Sequence, residues 1–159
     1  MPDAALAPLL AAYTARDEAA VHAAVHPDVH YEDPLTPAPL RGPGELLAHL
    51  RRGWSAFPDG RLEPTGAEVR EGALVVAPGK LVATQRGALG SLPATGRFLV
   101  AHAVLYCELD PGSDRLLRAR AFFDVYGAAQ QLGVLPKPGT AAQRALMVLQ
   151  GFGVGRRPG

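Results

Sequence analysis

The sequence is poor in the residues that mark most recognisable sites. It has one cysteine, Cys107, in 159 residues, which excludes an intramolecular disulfide framework and a thiolate metal cluster. Cys107 lies in an apolar, strand-like run and reads as a small buried hydrophobe rather than a nucleophile. No run approaches the ~20 continuous apolar residues of a membrane span. The first residues lack the basic-then-apolar pattern of a secretory signal. Lysine and arginine total 16 against 15 acids, for a net charge of +1. With no basic block and no basic aromatic stripe, neither nucleic acid nor a membrane is an expected partner. A cytoplasmic protein is the expectation. Phosphate-binding glycine loops, HExxH and the nucleophile-elbow serine are also missing. His22 and His26 stand four apart, but no third ligand is evident, so no metal site is expected.

What is present is a change of texture along the chain. Leu6, Leu9, Leu10 and Tyr13 share one face of a helix over 3–15. Asp17 is an N-cap for a short second helix that Pro27 should stop. Val29 to Asp33 alternates as a short strand, with Val29, Tyr31 and Asp33 on one side and His30 and Glu32 on the other. Prolines 34, 37 and 39 end it. A third helix runs from about Pro43 to Phe57, with Leu47, Leu50, Trp54 and Phe57 as its buried face and His49, Arg51 and Arg52 elsewhere. Segments 61–70, 73–84, 97–109 and 115–123 then read as strands between Pro/Gly/Asp turns. The run 98–109 is apolar on both faces and should be central in a sheet. A short helix follows Asp124 and closes at Gly133. Another spans Thr140 to Gln150, and 151–159 should be disordered. The order predicts an α+β fold, helices on one face of a curved, mostly antiparallel sheet. One domain over 1–136 carries a C-terminal extension, 137–159.

The residues that could carry chemistry are isolated acids and aromatics at strand ends. Alternation points Asp33 inward, where desolvation would raise its pKa toward that of a general base; the same residue could equally form an Asx turn before Pro34. Asp124 ends the strand Arg118-Ala-Arg-Ala-Phe-Phe-Asp124 and is either an acid/base or a helix N-cap. Tyr13 either packs or donates its hydroxyl to a developing enolate oxygen. Trp54, Phe57, Tyr106 and Phe122 are candidate pocket walls, and Gln85 and His102 candidate polar groups within the pocket.

These elements, with YEDP (31–34), FPD (57–59), LPATGR (92–97), FFD (122–124) and QLGVLP (131–136), resemble the SnoaL-like polyketide cyclases of the NTF2-like superfamily, which also holds ketosteroid isomerase. The similarity covers about residues 4–136. It implies a cone-shaped α+β barrel enclosing an apolar pocket, frequent homodimerisation through the sheet, and an intramolecular aldol closure that needs no metal or cofactor. By resemblance Asp124 stands at the cyclase acid/base. No histidine stands at the closest register on the preceding strand, His102 lying earlier, and Gln85 in Thr84-Gln85-Arg86-Gly87 takes a place where histidine is common. The isomerase branch instead implies Asp33 as base and Tyr13 as oxyanion donor, with an apolar residue near Leu105 replacing the second donor acid. The expectation is acid/base chemistry on an apolar carbonyl compound, with Asp124 ahead of Asp33. The alternatives are isomerase-like proton transfer by Asp33 and Tyr13, or ligand binding without catalysis.

Overall fold

The computed structural model describes residues 4–150. Two helices, α1 (Ala7–Ala15) and α2 (Glu18–Ala24), lead into β1 (Val25–Glu32), and β2 (Leu40–Arg41) precedes α3 (Gly42–Ala56). Five strands follow: β3 (Arg61–Pro64), β4 (Val69–Glu71), β5 (Leu74–Thr84), β6 (Phe98–Leu109) and β7 (Leu116–Phe123). The described chain closes with α4 (Val125–Gln131) and α5 (Ala141–Leu149). The sheet order is β2-β1-β7-β6-β5-β3, with β4 also on β5. β1 pairs with β7 in parallel and the other pairs are antiparallel. This is the expected α+β fold, with α1 and α3 on the inner face of a mixed sheet.

Side-chain caps set the helix starts. Asp17 accepts the Ala20 N–H at the head of α2. The head of α1 is capped from a distance, where the Glu68 carboxylate takes the N–H groups of Ala5 and Leu6 at 2.7 and 3.0 Å. Such a carboxylate satisfies orphan donors and opposes the positive end of the helix dipole. Arg16 ends α1 in the left-handed region (φ 56°), and its guanidinium donates to the Phe57 and Pro58 carbonyls beyond α3.

Two expectations about elements fail. Pro27 lies inside β1 rather than ending α2. The β1–β7 register shifts between Val25 and His30, and β2 pairs β1 only at His30 and Tyr31, so no regular ladder position requires a donor from Pro27. The expected strand 61–70 is two pieces, β3 and β4, broken after Pro64 and both paired to β5. β6 is central, as expected, but its outer face is not covered within the described chain: Phe98 and Tyr106 are 57% and 50% exposed.

The inward residues form two clusters. One gathers Leu6, Val29, Leu46, Val75, Cys107, Leu109 and Leu116. The other gathers Phe57, Ala83, Leu99, Ala101 and Leu132. Cys107 is buried as expected, and burial, with Glu68 adding, pushes its thiol up to about 12. The segment 151–159, expected to be disordered, lies outside the described residues, and α5 has no buried residue.

Candidate functional site

Small side chains on the inner sheet face (Ala77, Ala101, Ala103, Ala119 and Ala121) leave room for a cavity of about 340 Å³ between the sheet and helices α1, α3 and α4. That lies within the size range of small-molecule sites. Its lining is overwhelmingly apolar. Glu63 and Lys80 lie along it as neighbours on β3 and β5, paired at 3.3 Å. The other ionisable side chains are Cys107 and a group made of Tyr13, Tyr31, Asp33 and His49.

Asp33 is the centre of that group. Its side chain is 5% exposed, and alternation along β1 turns it inward with Val29 and Tyr31. Glu32 turns outward and pairs with Arg120 at 2.6 Å. One carboxylate oxygen, Oδ1, accepts the Leu35 N–H at 2.7 Å. The other, Oδ2, accepts the Tyr31 hydroxyl at 3.0 Å and lies 2.6 Å from His49 Nε2. The turn is closed by Thr36, whose N–H and hydroxyl both donate to the Asp33 carbonyl. Both readings of YEDP therefore hold: Asp33 makes the Asx-type turn and also faces the cavity. Burial pushes its carboxyl up, but the hydrogen bond and charge of His49, with the Leu35 N–H and Tyr31 hydroxyl, pull it below its ordinary 3.8. The desolvated, raised-pKa carboxylate expected from the sequence is not what the site holds.

The two tyrosines stay protonated donors. Burial raises the Tyr31 phenol well above its ordinary 10.0, and the neighbouring Asp33 adds to this. Tyr13, its ring 5.8 Å from Trp54, is raised by burial, opposed by Arg16 and assisted by Asp33. Its hydroxyl makes no hydrogen bond among the described residues, which leaves a donor free for a ligand.

Of the remaining expected site residues, Phe57 lines the cavity. Trp54 packs behind it against Tyr13, 8% exposed. Asp124 is exposed and caps α4, its Oδ1 accepting the Gly127 N–H at 2.8 Å. It shares the outward side of β7 with Arg120 and Phe122, so the parity of the strand takes it away from the cavity. His102, Tyr106 and Phe122 lie on that outer face and are exposed. Gln85 is fully buried but holds the 86–96 loop instead: its amide donates to the Gly87 and Pro93 carbonyls and accepts from Thr95. Among the described residues no three potential ligands converge on a metal-sized site.

His49 is the residue that sequence reasoning missed. Helix α3 buries two faces. Leu47 packs with Ala12 and Val21 toward α1 and α2, while Leu46, His49, Leu50, Gly53 and Phe57 follow one another along the cavity. The spacing Leu46, Leu50, Gly53, Phe57 was the available signal, since His49 stands at i+3 from Leu46 on that second stripe.

The family model for SnoaL-like polyketide cyclases matches residues 4–132 of the chain. No curated protein sequence matches it. Among solved structures, TsrD of Streptomyces laurentii is 27% identical, with 82% of this chain and 93% of that one covered and a TM-score of 0.71. IdmH of Streptomyces antibioticus, described as a candidate polyketide cyclase, is 21% identical over 84% of this chain and 99% of its own, with a TM-score of 0.71. AclR of Streptomyces galilaeus, described as a candidate hydroxylase, is 20% identical over 93% and 90%, with a TM-score of 0.73.

Proposed function

We propose that this chain, which belongs to the SnoaL-like polyketide cyclase family, binds an apolar, polyketide-like carbonyl compound and closes a ring in it by acid/base catalysis. One observation carries the reading: a largely apolar cavity has Tyr13, Tyr31, Asp33 and His49 gathered together on its wall, apart from the Glu63–Lys80 pair. The Asp33–His49 pair takes a proton from the carbon next to a carbonyl. The Tyr13 hydroxyl donates to the oxygen on which enolate charge develops. The enolate carbon then attacks a second carbonyl of the same molecule; a carbon–carbon bond forms, the π pair moves onto oxygen, and that alkoxide takes the proton back from the pair. Isomerase-like proton transfer shares the first half of this sequence and uses Asp33 and Tyr13, both on the cavity. The cyclase assignment of Asp124 lacks that support, because its carboxylate stands exposed on the outward side of β7 and does not line the cavity.

The test isolates the shared first step. β-Tetralone, an apolar bicyclic ketone, is incubated with the protein in deuterated buffer and its α-protons are followed by proton NMR. Exchange faster than buffer, competed by other apolar ketones, is the expected result. Saturable binding without any faster exchange would favour the ligand-binding reading, and neither binding nor exchange would remove both.

We also propose a homodimer through the outer sheet face. Val104 pairs across the ladder with Phe122, and Tyr106 with Val76; Val104, Tyr106 and Phe122 are all exposed. A contiguous apolar patch of this kind marks an interaction surface. Sedimentation equilibrium should give a dimer that Tyr106→Glu dissociates; a monomeric wild type contradicts it.

A further inference from the structure

We propose that His49 is the group that takes the proton, through Nδ1, and that Asp33 is a positioning residue that fixes the tautomer and orientation of its imidazole. This rests on the proton-transfer reading above and divides the labour within its central pair.

The argument begins with what Asp33 has left to give. A carboxylate offers about four lone-pair positions. The Leu35 N–H occupies one on Oδ1, and the Tyr31 hydroxyl and His49 Nε2 both converge on Oδ2. The same residue's carbonyl is tied into the turn by Thr36. One position on Oδ1 stays free, but a proton taken there would discharge the carboxylate that these donors hold from three directions. Tyr31 offers no alternative route, because its buried phenol already donates to Asp33.

His49 is placed in the opposite way. An ionised carboxylate can only accept, so the ring nitrogen that faces Asp33 Oδ2 carries the hydrogen. In the neutral ring the other nitrogen, Nδ1, then holds the lone pair. No hydrogen bond occupies Nδ1 among the described residues. Among those residues the sealed side-chain polar atom without a partner is Trp54 Nε1, so Nδ1 is open rather than buried and orphaned. The residue lines the cavity beside Leu46 and Leu50 on a continuous helix. Its ring is held 5.7 Å from the Tyr31 ring. When Nδ1 accepts a proton from the α-carbon, the carbon–hydrogen pair becomes the enolate π system and the imidazolium sits directly against Asp33. Return of that proton to the alkoxide restores the starting pair.

The test has two independent readouts. Nitrogen NMR of the ligand-free wild type, at a pH where the ring is neutral, should show His49 protonated at Nε2 and bare at Nδ1. A ring protonated at Nδ1 overturns the assignment without reference to any substrate. Deuterium exchange into β-tetralone supplies the second readout. His49→Gln, which can still donate to Asp33, should lose about 100-fold or more. Asp33→Asn should lose at least about tenfold and mix the two tautomers in the NMR spectrum, because the mechanism needs the proton on the far nitrogen. Wild-type exchange that persists in His49→Gln but vanishes in Asp33→Asn makes the carboxylate the base and overturns this proposal alone. A wild type no faster than buffer overturns the proton-transfer reading and this assignment with it.

Discussion

Strands β1 and β7 lie side by side and parallel, and each is followed at once by an aspartate: Asp33 after Glu32, Asp124 after Phe123. Both aspartates do the same local work. Asp33 Oδ1 accepts the N–H two residues on, and Asp124 Oδ1 accepts the N–H three residues on. They part company in parity. Asp33 follows Val29 and Tyr31 inward, so its second oxygen meets Tyr31 and His49 in an apolar cavity. Asp124 follows Arg120 and Phe122 outward, so its second oxygen meets water. The comparison teaches that a turn or cap does not exclude a role in a site. It uses one carboxylate oxygen, and the face of the strand decides what the other one finds.

The largest expected difference between the two positions is in exchange on β-tetralone. Asp33→Asn should fall by at least about tenfold, and Asp124→Asn should run at the wild-type rate, since asparagine caps a helix about as well as aspartate. Equal losses at both positions would erase the distinction.

Stability should separate them next. Asp33→Ala removes a charge-assisted acceptor and leaves Tyr31 and His49 without their partner, at a cost of about 1.5–3 kcal/mol in urea denaturation. Asp124→Ala loses one cap, at about 1 kcal/mol. A reversed order would mean that the inner cluster is not holding the fold at that point.

A subtler difference lies in pH. Because its folded pKa is depressed, Asp33 contributes stability that is fully present above the ordinary carboxylate value of 3.8 and is lost as pH falls through its lower folded value. The gap in stability between wild type and Asp33→Asn should hold a constant full value above about pH 5 and should narrow in acid below about pH 4. A gap that stays flat into acid would contradict the set of donors that holds Asp33 ionised. The smallest expected effect is Asp124→Asn on stability, within a few tenths of a kcal/mol.

The inward turn of Asp33 was legible because β1 alternates cleanly, with Val29 and Tyr31 as markers. The parity of β6 and β7 was not. Both faces of β6 are largely apolar, the outer face of β7 mixes Phe122 with Arg118 and Arg120, and large aromatics taken as pocket walls put Tyr106 and Phe122 inside. A cavity forms where side chains are small, and the inner face carries Ala101, Ala103, Ala119 and Ala121 while the large residues stand outside. His49 was hidden for a related reason. Helix α3 is buried on two sides, and a single stripe drawn through Leu47, Leu50, Trp54 and Phe57 leaves Leu46, His49 and Gly53 unread. Gln85 was read as a ligand group because it is polar on a strand, but a buried amide needs partners, and the 86–96 loop supplies them. The order of helices and strands, by contrast, followed from periodicity and turn chemistry, apart from the short β2 and the break that divides β3 from β4.

The most direct test of the account is to map where β-tetralone binds, by amide and carboxyl-carbon NMR of the full chain during titration. The account predicts shifts centred on Tyr13, Tyr31, Asp33 and His49, with Asp124, His102 and Tyr106 unmoved. Shifts centred on Asp124 or the outer sheet face, with Asp33 and His49 silent, would contradict it.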